Sequence, residues 1–356
     1  MDYKLLLQKI EDHYKSELPF VLYSLPDEEV LTCYFQKDSS LHTTKNFSEK
    51  GVKLAPFDDI RPTLCMFAAN CEVVETKFKS EMLPLDEIQV DEINNERLVH
   101  KRLVGKAIKS IEDKKASKIV VSRCKKLPLS RIDLGAIILR LLNFFPEAFD
   151  YVWYHPETGI WLGATPELLI KTNGIAFTTM ALAGTKKIND NKPPDWTLKE
   201  IIEQQYVTDA ITSSLEKLTS VIKISKTYTQ LAGSVAHLRT DVSGALKNGK
   251  ATLDIIASAL HPTPAVCGTP MNFSKKFIDK NEGYDREFYT GFVGPVDENS
   301  NSSQLFVNLR CVKIEEGIAN LYVGSGITSV SNSQEEWEET QNKLQTMLQV
   351  LKPFLN

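Results

Sequence analysis

The sequence has no uninterrupted apolar run long enough to cross a bilayer, which argues against a transmembrane helix. Its six cysteines (Cys33, Cys65, Cys71, Cys124, Cys267, Cys311) form no CxxC pair and no zinc-ligand spacing. Free buried thiols in a reducing compartment are expected rather than a disulfide framework. Positive charge is not in excess: 42 Lys and Arg stand against 46 Asp and Glu, a net charge of −4. That balance lacks the basic footprint of a nucleic-acid binder. No Gly/Pro/Ser-rich or low-complexity stretch divides the 356 residues, so one domain covering 1–356 is expected. The opening MDYKLLLQKIEDHYKSELPF is an amphipathic pattern containing acids, not a signal peptide. The expectation is a cytoplasmic protein with neither membrane nor nucleic-acid partner and no obligatory protein partner.

What is present is an ordinary globular composition, 42% hydrophobic and 25% charged. FVLYSLPDEEVLTCYFQKD reads as a hairpin around a Pro-Asp turn. From about Asp86 to Lys114 the spacing predicts a helix, and DLGAIILRLLNFFP predicts a second one stopped near Pro146. Thr197 to Leu218 and the C-terminal EEWEETQNKLQTML also read as helices. EFYTGFVGPV, SQLFVNLRCVKI and NLYVGSGIT read as three antiparallel strands. Strands occur in runs with helices between them, which argues for an α+β fold with large antiparallel sheets.

Two acidic pairs carry the chemistry. Glu200 and Glu203 are three apart in KEIIEQQYV; Glu336 and Glu339 are three apart in EEWEETQNK, with Lys343 four further on. Residues at these spacings share a helix face. Taken singly, such pairs are mostly solvated surface. Two of them meeting would form an oxygen-only cage suited to Mg²⁺. Before the second pair, YVGSGI is read as a strand ending in a turn at Gly324, Ser325 and Gly326, where backbone N–H groups approach an anion closely.

SKIVVSR, GATPELLIK, ALAGTKK, KEIIEQQYV, HLRTDVSG, LHPTPAVCGTP, YDREFYTGFVG, NLRC, GSGI and EEWEETQNK occur in one order between about Lys118 and Leu348. In this the chain resembles the chorismate-utilising enzymes: isochorismate synthase, salicylate synthase, anthranilate synthase component I and aminodeoxychorismate synthase. The resemblance implies a single chorismate-binding domain in which two antiparallel sheets form a sandwich with helices outside. Residues 1–95 would be a variable N-terminal lobe completing the sheets, and 96–356 the catalytic region.

The resemblance also implies roles. Chorismate is a cyclohexadiene with a ring carboxylate, an enolpyruvyl ether and an allylic C4 hydroxyl. Lys118 matches the base that activates water at C2, a role needing an amine that can lose its proton. Glu167 matches the acid that protonates the leaving C4 hydroxyl, and His261 a histidine near the ring. Gly184, Thr185, Ala265, Tyr289, Arg310, Gly324, Ser325, Gly326 and Lys343 match substrate contacts, with Arg310 gripping the enolpyruvyl carboxylate. Glu203 and Glu339 match the Mg²⁺ site most directly, with Glu200 and Glu336 as direct or water-mediated ligands.

Ala183 occupies the slot where aminodeoxychorismate synthases place a nucleophilic lysine, and Gln204 stands where the family often has histidine. The activity implied is Mg²⁺-dependent conversion of chorismate to isochorismate, feeding menaquinone or siderophore synthesis. A salicylate synthase, which adds pyruvate loss and often carries tyrosine at the position of Tyr289, is the alternative. An ammonia-using synthase is disfavoured by Lys118 and Ala183, and a binding-only module by the joint presence of acid and base.

Overall fold

The computed structural model describes residues 2–92, 95–188, 194–232, 235–247, 252–297 and 302–355. Among these residues, two large antiparallel sheets, one of nine strands and one of ten, face each other. The first sheet runs in the spatial order Gly268–Thr269, Lys118–Pro128, Ile318–Ile327, Cys311–Glu315, Gly159–Thr165, Phe149–His155, Phe20–Ser24, Val30–Gln36 and Cys71–Lys77. The second contains Val235–Leu246, Ala176–Lys187, Leu168–Asn173, Ser302–Val307, Phe292–Asp297 and Gly51–Ala55 in its middle. Residues 20–77 therefore extend both sheets: Phe20–Ser24 pairs with Phe149–His155, and Gly51–Ala55 with Phe292–Asp297.

An aromatic core fills the space between the sheets, including Phe149, Tyr151, Trp153, Trp161 and Phe306. Phe149 and Phe306, one from each sheet, stack with centroids 4.3 Å apart. Helices cover the outer faces. Against the first sheet lie α1 (Tyr3–Lys15), α2 (Glu96–Glu112), α3 (Leu134–Phe144) and the C-terminal α7 (Ser333–Leu351), with α6 (Met271–Asn281) at its edge. Against the second lie α4 (Leu198–Glu216) and α5 (Leu253–Leu260). Alternating strand positions point to opposite faces. Lys118 and Val120 thus face inward, whereas Ile119 and Val121 pack outward beneath α2 and α6.

Three local expectations are corrected. The helix expected from Asp86 begins only at Glu96. Residues 78–92 instead run as an irregular strap. Ile88 and Val90, two apart, pack on the core, and side chains of α7 satisfy the strap's backbone at Asp86 and Ile88. The Gln345 amide both accepts from the Ile88 N–H and donates to its carbonyl, each at 2.9 Å, and Gln349 does the same at Asp86. Second, SQLFVNLRCVKI is not one strand. Ser302–Val307 lies in the second sheet and Cys311–Glu315 in the first, with Asn308, Leu309 and Arg310 crossing between them. Third, Gly324, Ser325 and Gly326 are not a turn; they pair with Ser122, Val121 and Val120 inside the strand Ile318–Ile327.

The inter-sheet stack yields a stability prediction. Phe149→Ala should lower unfolding free energy by about 3–5 kcal/mol, because it leaves a cavity facing Phe306. Urea unfolding followed by circular dichroism checks this.

Candidate active site

The cleft forms where the chain crosses between the sheets twice, side by side. One crossing is Thr165, Pro166 and Glu167, between strands Gly159–Thr165 and Leu168–Asn173. The other is Asn308 to Arg310. They are laced together: Thr165 Oγ1 donates to the Val307 carbonyl at 2.6 Å, and the Val307 N–H donates to the Glu167 carbonyl at 2.9 Å. The Ala164 N–H donates to the Arg310 carbonyl at 3.2 Å. Arg310 has φ of 47°, a left-handed backbone uncommon for a non-glycine residue and held here by both sheets.

Glu167 is 4% exposed, and burial pushes its carboxyl up to about 7, although Lys118, Lys343 and Arg310 pull the other way. A carboxyl with this value is partly protonated near neutrality and suits a general acid. Lys118 is fully buried. Its Nζ lies 2.9 Å from Glu203 Oε1, but off the hydrogen-bonding axis, so the contact is a charge contact rather than a directed bond. Gly326 makes this possible: a Cβ there would lie 2.3 Å from Glu203 Oε1 and 2.8 Å from Lys118 Cε. A Cβ on Gly324 would lie 3.1 Å from the Tyr289 hydroxyl. Arg123 points away from Lys118, as strand alternation requires, and stacks on Trp337 at 4.2 Å.

Glu167, Ala183, Gly184, Thr185, Glu203, Ala265, Tyr289, Arg310, Gly324, Ser325, Gly326, Glu339 and Lys343 all line this one cleft. Lys343, one turn beyond Glu339 on α7, donates to Glu339 Oε1 at 2.7 Å and to the Gly324 carbonyl at 2.9 Å. A larger cavity of roughly 460 Å³ lies on the other side of Arg310 and Pro166, but none of the candidate acids or bases borders it.

Four predicted residues stand apart from the lining: Lys118, buried behind Gly326 against Glu203, and His261, Glu200 and Glu336. His261 hydrogen-bonds through Nε2 to the Pro56 carbonyl at 3.0 Å and packs edge-on against Phe292. Burial takes its imidazole down to about 4, and its surroundings are those of a structural histidine. Glu200 closes the N-terminus of α4 as a capping box, accepting from the Thr197 N–H at 2.9 Å and its hydroxyl at 2.6 Å. Glu336 is fully buried and accepts from Lys199 at 2.7 Å.

Sequence reasoning gave no role to His237, although its block HLRTDVSG was noted. His237 lines the cleft, and its Nδ1 faces the Gly184 carbonyl at 3.2 Å and Thr185 Oγ1 at 3.1 Å. A carbonyl only accepts, so Nδ1 carries the proton and Nε2 is left to accept from Arg310 at 3.5 Å. Burial, with Arg310 and Lys343 nearby, takes this imidazole down to about 3, so it stays neutral. Tyr322 also lines the cleft and stacks on Tyr289 at 5.2 Å.

The carboxylates fit a hard cation in donor type. Glu203 from α4 and Glu339 from α7 share the cleft. Behind them, burial and the Glu339 charge push Glu336 up to about 7. Its Oε2 is buried without a well-formed hydrogen bond, though the Ser331 hydroxyl is nearby. A poorly satisfied carboxyl oxygen beside a second carboxylate is a place where a divalent ion relieves two costs together. Among the described residues, no three such side chains converge tightly enough to close a coordination sphere.

The model of the chorismate binding enzyme family matches residues 40–352, and the chain belongs to that family. Isochorismate synthase DhbC of Bacillus subtilis (strain 168) is 30% identical over 257 residues, covering 68% of this chain and 64% of that relative. Isochorismate synthase EntC of Escherichia coli (strain K12) is 32% identical over 247 residues, covering 65% of this chain and 62% of that relative. The chain thus spans a little under two thirds of the length of these relatives. A Bacillus anthracis crystal structure bearing the name DhbC superposes with a TM-score of 0.82 at 25% identity, covering 98% of this chain and 100% of that one. E. coli MenF shares the fold, with a TM-score of 0.76 at 21% identity over 94% of this chain and 88% of that one. No helix among the described residues is long and apolar enough to cross a membrane.

The position of Glu167 predicts a pH effect on stability. Its folded-state value of about 7 lies above the 4.5 of an ordinary glutamate, so the folded protein keeps this proton where the unfolded chain loses it. Stability from this group falls as pH rises from 4.5 to about 7. Glu167→Gln should therefore stabilise the protein at pH 8 by roughly 3 kcal/mol and have little effect at pH 4. Denaturant melts at the two pH values check it.

Proposed function

We propose that the protein is an isochorismate synthase: it adds water at C2 of chorismate and expels the C4 hydroxyl, with no net gain or loss of atoms. The observation that carries this reading is the nearness of a fully buried amine, Lys118, set behind the cleft wall at Gly326, to a cleft carboxyl, Glu167, that stays protonated to about pH 7. Expulsion of a hydroxyl needs an acid on the leaving oxygen, and attack by water needs a base on the nucleophile. Glu167 delivers its proton to the C4 oxygen, which leaves as water. Lys118 takes a proton from the incoming water.

Arg310 offers its planar fork to the enolpyruvyl carboxylate, held at the sheet crossing and oriented by His237. Lys343 adds positive charge beside Gly324. Ala183 presents no amine to the ring, so no covalent lysine adduct forms there. His261, away from the lining, is assigned no step. Glu203 and Glu339, with Glu336 behind them, would hold Mg²⁺, which supplies Lewis-acid anchoring of the ring carboxylate; Glu200, committed to the α4 cap, is assigned no part in it. The same ion would explain why two helices aim carboxylates at one cleft. The product is proposed to enter menaquinone or siderophore synthesis within a cytoplasmic setting.

Chromatography of the product from chorismate and Mg²⁺ alone tests the reading: isochorismate is expected. Abundant salicylate would favour the lyase alternative, which the buried Tyr289 leaves open. Lys118→Ala and Glu167→Gln should each reduce kcat by about 10³-fold while chorismate still binds. Gly326→Ala, which drives a methyl group into Glu203 and Lys118, should cost about 10²-fold without unfolding the protein. Near-normal turnover in any of the three variants would remove the role assigned to that residue.

A further inference from the structure

Each of the four glutamates is matched by a lysine. Lys118 lies 2.9 Å from Glu203, Lys186 3.4 Å from Glu200, Lys199 2.7 Å from Glu336 and Lys343 2.7 Å from Glu339. Two of these ammonium groups are deeply placed. Lys118 is fully buried, and the Lys199 side chain is 16% exposed while reaching from α4 to α7. Burial works against charge on Lys199, yet Glu336, Glu339 and Glu203 hold its amine above the usual lysine range. A carboxylate cluster in low dielectric needs positive charge close by, and this chain supplies it from its own side chains.

We propose that Mg²⁺ and these lysines compete for the same carboxylate oxygens, so that metal loading releases Lys118 from Glu203; this rests on the Mg²⁺ site proposed above. Glu203 Oε1, the oxygen touching Lys118 Nζ, also faces Gly326 on the cleft wall. A divalent ion seated on Glu203 and Glu339 would stand a few ångströms from that ammonium. Repulsion between them, and the loss of the shared oxygen, would free the Lys118 head group from Glu203. Lys199 plays the parallel part at Glu336, bracing α4 against α7 and supplying one cation where the ion supplies two charges. On this account the place of the Lys118 head group is set by the ion as well as by the strand that carries it.

The test is a calorimetric titration of the full chain with MgCl₂ alone, without chorismate. Lys118→Met keeps the apolar stem and removes the competing charge, and it should bind Mg²⁺ about tenfold more tightly than wild type. Its melting temperature should also rise more steeply with added Mg²⁺. Unchanged or weaker Mg²⁺ affinity in Lys118→Met overturns the proposal, as does failure of the wild-type chain to take up Mg²⁺. If Lys118→Met does not fold, Lys199→Met reads the same competition at Glu336: tighter Mg²⁺ binding supports the proposal, and unchanged or weaker binding overturns it. Lys199→Arg, which keeps the charge, should behave as wild type. The titration contains no substrate, so its outcome holds whichever product chorismate yields, and an unexpected product tells only against the assigned reaction.

Discussion

The site depends on one constraint: the chain passes from one sheet to the other at two adjacent points, and hydrogen bonds lace those points together. The Thr165 hydroxyl, the Val307 amide and the Ala164 amide tie the crossing that bears Glu167 to the crossing that bears Arg310. A crossing strand cannot continue either ladder, so its residues project into the gap between the sheets rather than onto a packed face. The backbones that carry Glu167 and Arg310 are thereby fixed relative to each other. Preorganisation of this kind is what a charge-developing reaction requires.

Around that fixed pair, electrostatics assigns the protonation states. Glu203, Glu336 and Glu339 each have an ammonium within 2.9 Å. Glu167 faces Lys118, Lys343 and Arg310 only at longer range, and burial wins. Burial thus lifts two carboxyls of the site, Glu167 and Glu336, to about 7, and only Glu336 of the two has an ammonium in direct contact. Separating two roles for the same functional group by environment is how acid and anion coexist at neutral pH. His237 is kept neutral by burial and by the cations beside it, so it accepts from Arg310 instead of repelling it.

Much of this was legible in the sequence because helical spacing translates directly into geometry. Glu203 and Glu339 emerge on helices facing one cleft, and GATPELLIK places Glu167 immediately before a strand. What failed were inferences in which a local pattern had two physical outcomes. Apolar residues in PLDEIQVDEI suit a helix, but Ile88 and Val90 at a spacing of two also suit an extended strap once Gln345 and Gln349 satisfy its backbone. SQLFVNLRCVKI is uniformly strand-like, and nothing local reports that Asn308–Arg310 leaves one sheet for the other. Glu200 has the right spacing for a ligand, yet the same spacing from Thr197 makes a capping box. His237 and His261 are both single histidines next to strand-like or Pro-containing segments; only the tertiary arrangement puts the first in the cleft and the second against Pro56.

The glycines show how one residue type can answer two different physical requirements. A turn whose N–H groups cradle an anion needs glycine for close backbone approach. Gly324 and Gly326 instead sit in a paired strand, where any residue satisfies the backbone. The requirement comes from the space that a side chain would take. At Gly326 that space holds the Glu203 carboxylate and the Lys118 stem, and at Gly184, with φ of 73°, a Cβ would lie 2.9 Å from the Glu200 Cβ. Both glycines let a glutamate of α4 approach a strand closely. The acidic helix can therefore lie against the cleft wall at a depth that alanine would prevent, and the pairing of Lys118 with Glu203 follows from that depth.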